Sequence, residues 1–261
     1  MDEFIEIDKS LNNFLRGLAH GSSETIYQSH RQLYKAGELA LPAIEQQLMS
    51  YSWEGTKVGV EISILTGLLG LVHDINEKRA KYLGEKIREK ECSKTIDGRI
   101  QSILRFSLKE FESFQINNLD IYLSKELTDK SRIRQKLAKW LSLVSENDLE
   151  QIERIYLIPK ENEHHRGTYM PILCSIMVEW DIYTSYYNPL SYFFLLRIEN
   201  TLYHEIGHHV HRHTFGQDPE QEKEAEQYAA KILVKSHPLL RRIVKSIKSV
   251  FSKSKTSEKS V

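Results

Sequence analysis

Apolar side chains recur every three to four residues through most of the first half of the chain, the spacing of one buried helix face. Phe4, Ile5, Ile7, Leu11, Phe14, Leu15 and Leu18 form one such stripe, which ends near His20 and Gly21. Ser22 or Ser23 suits the cap of a second helix, carrying Ile26, Leu33 and Tyr34 toward Gly37. A third spans residues 38–48, with Pro42 in its first turn. Residues 58–71, 75–90 and 96–114 continue the helical pattern, followed by shorter pieces over 119–127 and 133–143. Gly59, Gly67 and Gly70 weaken the expectation for 58–71. Several antiparallel helices with short connections are the expected architecture.

The pattern changes after Leu149. Arg154-Ile155-Tyr156-Leu157-Ile158 is a short β-prone run that ends at Pro159. A polar loop follows over residues 160–167, holding His164 and His165, which read as solvated rather than as ligands. Residues 168–180 are apolar and rich in β-branched and aromatic types. There Pro171 demands an edge position or a strand that starts after it. The expectation is an α+β chain: a mostly helical domain over 1–148, then a domain over 149–250 with a small antiparallel sheet. A Ser/Lys-rich tail over 251–261 is expected to be disordered.

Behind the sheet segments, a helical run beginning near Asn188-Pro189-Leu190-Ser191 contains His204-Glu205-Ile206-Gly207-His208, an H-E-x-x-H sequence. Positions i and i+4 share a helix face, so His204 and His208 can address one metal ion. Neutral imidazoles hold Zn²⁺ without cancelling its charge. Glu205, next to His204, can take a proton from a water beside the metal without being a ligand. Gly207 is either a tolerated glycine or a point where another backbone comes close. A catalytic zinc takes three protein ligands and keeps one position open. The acidic stretch after the turn at residues 215–219 can supply the third: Glu222 and Glu226 share one helix face, and Ala225 and Ala229 make a small-residue face beside it.

Over residues 202–233 the chain resembles the zincin metallopeptidases of the gluzincin kind. The pattern E-x-x-A-[N/D]-x-[F/Y]-A occurs in ImmA/IrrE-like soluble peptidases and HtpX-like membrane peptidases. Here it reads Glu222-x-x-Ala225-Glu226-x-Tyr228-Ala229. The resemblance implies that Glu222 is the third ligand; were metal binding to survive its loss, Glu226 or Glu224 of the same stretch would take that place. Glu226 stands where the family has Asn or Asp, a residue that orients a ligand histidine. The resemblance also implies an edge strand that receives an extended peptide by backbone pairing, either 155–158 or 175–179. Gluzincins use a Tyr or His from outside these motifs to stabilise the oxyanion. Of the neighbouring residues, His211 returns to the metal face, while Tyr203 and Tyr228 read as packing.

Composition narrows the partners. The 36 Lys and Arg balance the 36 Asp and Glu, so no strong field steers the chain to nucleic acid or to an acidic membrane. Cys92 and Cys174 lie far apart, and with no signal peptide at the acidic N-terminus they fit free thiols in a cytoplasmic setting. The most apolar stretch, residues 58–72, is too short to span a bilayer, which favours the soluble branch of the resemblance. Residues 239–250 form a basic amphipathic pattern, read as a docked helix with a solvated face. Residues 37–44 resemble the start of a HEAT-type helix without a clean repeat period, and leave the helical half open to a protein partner. The functional expectation is a zinc-dependent peptidase acting on a protein or peptide substrate. The alternative is a helical interaction module whose zinc site is structural or vestigial.

Overall fold

The computed structural model describes residues 2–54, 59–90, 92–105, 107–160, 167–181, 190–213 and 218–238. The expectations for His164 and His165, the Asn188-Pro189 entry, residues 215–217 of the turn and everything after residue 238 lie outside them.

Six helices come first: α1 Asp2–His20, α2 Ser23–Ala36, α3 Leu41–Ser50, α4 Val60–Ile75, α5 Glu77–Arg88 and α6 Lys94–Leu104. The predicted punctuation lies where the pattern put it. α2 stops at Gly37, whose φ of 57° suits glycine, and Pro42 stands in the first turn of α3. α4 is buried on nearly all sides and forms the centre of this layer. Gly67 lets Phe14 and Leu18 of α1 approach: a β-carbon there would meet Leu18 Cδ1 at 2.8 Å.

The chain then departs from the helical reading. α6 ends at Leu104, and Phe111–Ile116 (β1) and Leu119–Ser124 (β2) form an antiparallel hairpin. Within the stretches expected to be helical, residues 111–114 and 119–124 are therefore strand. The physical reason is visible in β2, where Leu119, Ile121 and Leu123 are buried at every second position while Asp120 and Tyr122 are only partly covered. After α7 (Lys130–Leu141) and the short α8 (Glu146–Leu149) come β3 Arg154–Pro159, β4 Gly167–Met170 and β5 Ser175–Trp180. α9 (Ser191–Val210) and α10 (Pro219–Ser236) complete the described fold.

The five strands make one sheet in the order β1-β2-β3-β5-β4. The outer pairings, β1 with β2 and β4 with β5, are antiparallel, and the two central ones are parallel. β3 and β5 are therefore interior strands, which corrects both candidates for the peptide-receiving edge. β4 is the edge on this side of the sheet instead, paired with β5 alone. Pro171 then sits in a single 3-10 turn that separates β4 from β5.

Strand alternation divides the molecule into layers. Ile155, Leu157, Ile176 and Val178 face a core shared with Leu137, Trp140, Leu202 and Ile206 of the later helices. Arg154, Tyr156, Ser175 and Met177 face the other way, toward α4 and α6. A separate core joins residues from Ile7 to Ile100 with Ile172. The two cores change over between Ile100 and Leu119, ahead of the shift in sequence pattern at Leu149. No helix among the described residues is long and apolar enough to cross a membrane.

Candidate metal centre

α9 and α10 cross in close contact, and glycine makes this contact possible. A β-carbon on Gly207 would lie 2.9 Å from Ala225 Cα and 3.0 Å from its carbonyl oxygen. Of the two readings of Gly207, close approach is the one the packing supports. Ala225 and Ala229 are buried on the small-residue face expected of α10. Asp218 caps α10 by accepting the Glu220 N–H at 2.9 Å, with Pro219 in the first turn.

This crossing brings His204, His208 and Glu222 together. His204 Nε2 and His208 Nε2 are 3.0 Å apart. Glu222 Oε2 lies 3.2 Å from His204 Nε2, and Oε1 lies 3.5 Å from His208 Nε2. A tetrahedral Zn²⁺ with ligands about 2.0–2.1 Å away spaces its donor atoms about 3.3 Å apart, a spacing that the nearest donor atoms of these three residues approach. Among the described residues this is the one cluster of three metal-ligating types, and it contains neither Glu224 nor Glu226. Burial, with His204 beside it, lowers the pKa of His208 to about 4, so its imidazole stays neutral and able to donate a lone pair.

Glu205 lies outside this triangle and is buried, with 7% of its surface exposed. Burial pushes its pKa up to about 8, against the backbone N–H of Tyr169, which donates to the carboxylate. A nearby cation would oppose this rise, since it favours the ionised carboxylate. Gly167 at the start of β4 makes room for the side chain: a β-carbon there would meet Glu205 Oε1 at 2.7 Å and Thr201 Cγ2 at 2.5 Å. The edge strand thus lies directly against the candidate base.

The residues around the triangle take roles that the pattern left open. α9 ends in a Schellman turn, with Arg212 at φ 58° and the His213 N–H donating to the His208 carbonyl at 3.0 Å. The turn returns His213 to the site, its Nδ1 2.8 Å from Nδ1 of His208 and its Nε2 3.0 Å from Glu224 Oε2. Glu226, which stands where the resembled family has Asn or Asp, is exposed, and the carboxylate that reaches His208 through His213 is Glu224. A glycine would have announced such a turn, but arginine at the left-handed position leaves no signal in the sequence.

His209 points away from the triangle, between the Tyr169 hydroxyl at 3.1 Å and the Glu150 carbonyl at 2.7 Å. His211 is exposed and stacks on His213. Tyr203 donates to the Trp140 carbonyl, and Tyr228 to Asp148, so both serve packing as expected.

No family model, no curated protein and no solved structure matches this chain. The reading of the site therefore rests on its own geometry.

Proposed function

We propose that the protein is a zinc-dependent peptidase that hydrolyses peptide bonds of a protein or peptide substrate. The observation that carries this reading is the convergence of His204, His208 and Glu222, with a buried carboxylate at Glu205 outside the group. A site that only holds helices together has no use for that fourth group. The Glu222 side chain is 41% exposed, so water and substrate have access.

His204, His208 and Glu222 would hold the ion. Bound there, Zn²⁺ would supply Lewis acidity, lowering the pKa of a water and polarising a carbonyl. Glu205 accepts the proton of the attacking water and returns it to the leaving amine. His213 and Glu224 hold the His208 ring so that Nε2 keeps its lone pair toward the ligand triangle. β4 offers the backbone edge along which an extended peptide can pair, close to Glu205. The free thiols of Cys92 and Cys174 support a reducing, cytoplasmic setting.

Elemental analysis of protein purified without added metal tests the ligand set. About one zinc per chain in the wild type, strongly reduced in Glu222→Ala, is the expected result. Cleavage of an unstructured protein such as casein by the wild type, and not by Glu205→Gln, tests the activity. A metal-loaded wild type that cleaves no peptide or protein would turn the reading to a structural site.

A further inference from the structure

A cavity of about 730 Å³ lies on the face of the sheet turned away from the histidines, where α4 and α6 cover β3, β5 and β4. Val60, Ile62, Ile103, Met170, Leu173 and Met177 give it an apolar wall. Met177 stands on β5, between β3 and β4, yet is only partly buried, so the surface it keeps faces the cavity. The buried charges in the lining, Arg154 and Asp74, pair with each other at 2.6 Å, and Arg154 is also hydrogen-bonded to Tyr156. The cavity therefore suits an apolar guest rather than an ionic one. Protein interiors are packed without voids of this size, so an unfilled apolar space is a place for an occupant.

Sheet register carries this space to the edge at which a peptide would pair. Thr168 of β4 is the partner of Met177 on β5, and Met177 is the partner of Tyr156 on β3. All three line the cavity, as one row across the sheet. Directly paired residues project their side chains to the same face. A peptide residue paired with Thr168 from outside therefore extends the row and turns its side chain to the cavity face. Thr168 is exposed, so the row ends open to solvent at β4. The same residue is level with the candidate base. The Glu205 carboxylate accepts from the Tyr169 N–H and would meet a β-carbon on Gly167 at 2.7 Å, so it stands between the two, beside Thr168, on the α9 side of the strand.

We propose that the cavity receives the substrate side chain that faces Thr168, so that cleavage falls beside a large apolar residue such as Leu, Met or Phe. The inference rests on the peptidase reading and adds its substrate class, extended segments with an apolar residue next to the scissile bond. Substrate residues facing Gly167 and Tyr169 point to the α9 side instead, and the cavity does not select them. A charged side chain facing Thr168 is disfavoured, because it would lose its water against an apolar wall.

Digestion of a random peptide library by the zinc-loaded full chain, with the new termini read by mass spectrometry, tests the proposal. Leu, Met and Phe are expected to be enriched at a single position flanking the cleaved bond. For two matched peptides carrying Leu or Ala at that position, kcat/KM is expected to favour Leu by at least about tenfold. Thr66→Trp fills the cavity from α4 without removing a tertiary hydrogen bond, because Thr66 Oγ1 donates to the Ile62 carbonyl of its own helix. It is expected to remove most of the Leu-to-Ala ratio. Ser102→Trp, at an exposed position on the cavity rim, is expected to shift the ratio in the same direction, and it decides should Thr66→Trp fail to fold. Cleavage with no apolar preference beside the bond, or a ratio unchanged in every folded variant, would overturn the proposal and leave the peptidase reading standing. No cleavage at all by the zinc-loaded protein would overturn both.

Discussion

Nδ1 of His213 lies 2.8 Å from Nδ1 of His208, five residues earlier in the chain. One of these nitrogens must donate and the other accept. The arrangement that leaves His208 Nε2 a free lone pair has His208 Nδ1–H donating to His213, and His213 Nε2–H donating to Glu224 at 3.0 Å. One proton thus sits on each ring, and the carboxylate at the end favours that order. His213→Phe keeps the bulk and removes the acceptor. Zinc affinity, measured by competition with a chromophoric chelator, is expected to fall about 10–100-fold. Glu224→Gln, at an exposed position, is expected to lose less. Unchanged affinity in His213→Phe would remove His213 from any orienting role.

Glu205→Gln separates binding from chemistry. The amide keeps the shape but cannot take a proton. Metal content is expected to stay at the wild-type level while proteolysis drops by about 10²–10⁴-fold. Retained activity would assign the base elsewhere.

Gly167→Ala tests whether β4 sets the position of Glu205. The added carbon meets side-chain atoms, at 2.5 Å from Thr201 Cγ2 and 2.7 Å from Glu205 Oε1, so the carboxylate has to move. A displacement on the order of 1 Å is expected to lower turnover by up to about 10²-fold with metal content unchanged. Full activity would show that the carboxylate has slack.

Gly207→Ala meets backbone rather than side chain, at 2.9 Å from Ala225 Cα. The helix gains about 1 kcal/mol of propensity, but forcing α9 and α10 apart costs more. A net loss of about 1–2 kcal/mol in denaturant unfolding is expected, together with weaker zinc binding, because Glu222 is on the displaced helix. A more stable variant would contradict the close crossing.

His30 predicts an acid sensitivity. It is fully buried beneath the stacked Tyr34 ring, and burial lowers its pKa from 6.5 to about 4. Above pH 6.5 it is neutral both folded and unfolded, and its effect on stability is nil. Below that the unfolded chain binds a proton that the folded one refuses, so stability falls as pH drops from 6.5 toward 4. The full loss is on the order of 3 kcal/mol. His30→Leu, compared with wild type by urea unfolding in the presence of a chelator, is expected to lose less stability over that interval. Parallel curves would mean that the ring is not desolvated.

The parts of this protein that were legible in its sequence are those governed by local geometry. His204 and His208 share a helix face because of the helical repeat, and that holds before any tertiary contact forms. Most helices of the first half were legible for the same reason, since the apolar period and the Ser22, Gly37 and Pro42 punctuation are short-range. Glu222 was singled out by its resemblance to a motif, and its distances to the histidines then came from the crossing of α9 and α10. Other features were decided only by tertiary structure. The β1–β2 hairpin was hidden because alternation over six residues is too short to separate from a helix stripe. β4 rather than β3 or β5 became the edge through pairing order, which no single strand encodes. The His208–His213–Glu224 chain depends on a left-handed Arg212 and on a second helix. The Arg154 cavity depends on which face of β3 meets α4. A side chain's neighbours along the chain follow from backbone periodicity, but its neighbours across the chain depend on how whole layers pack.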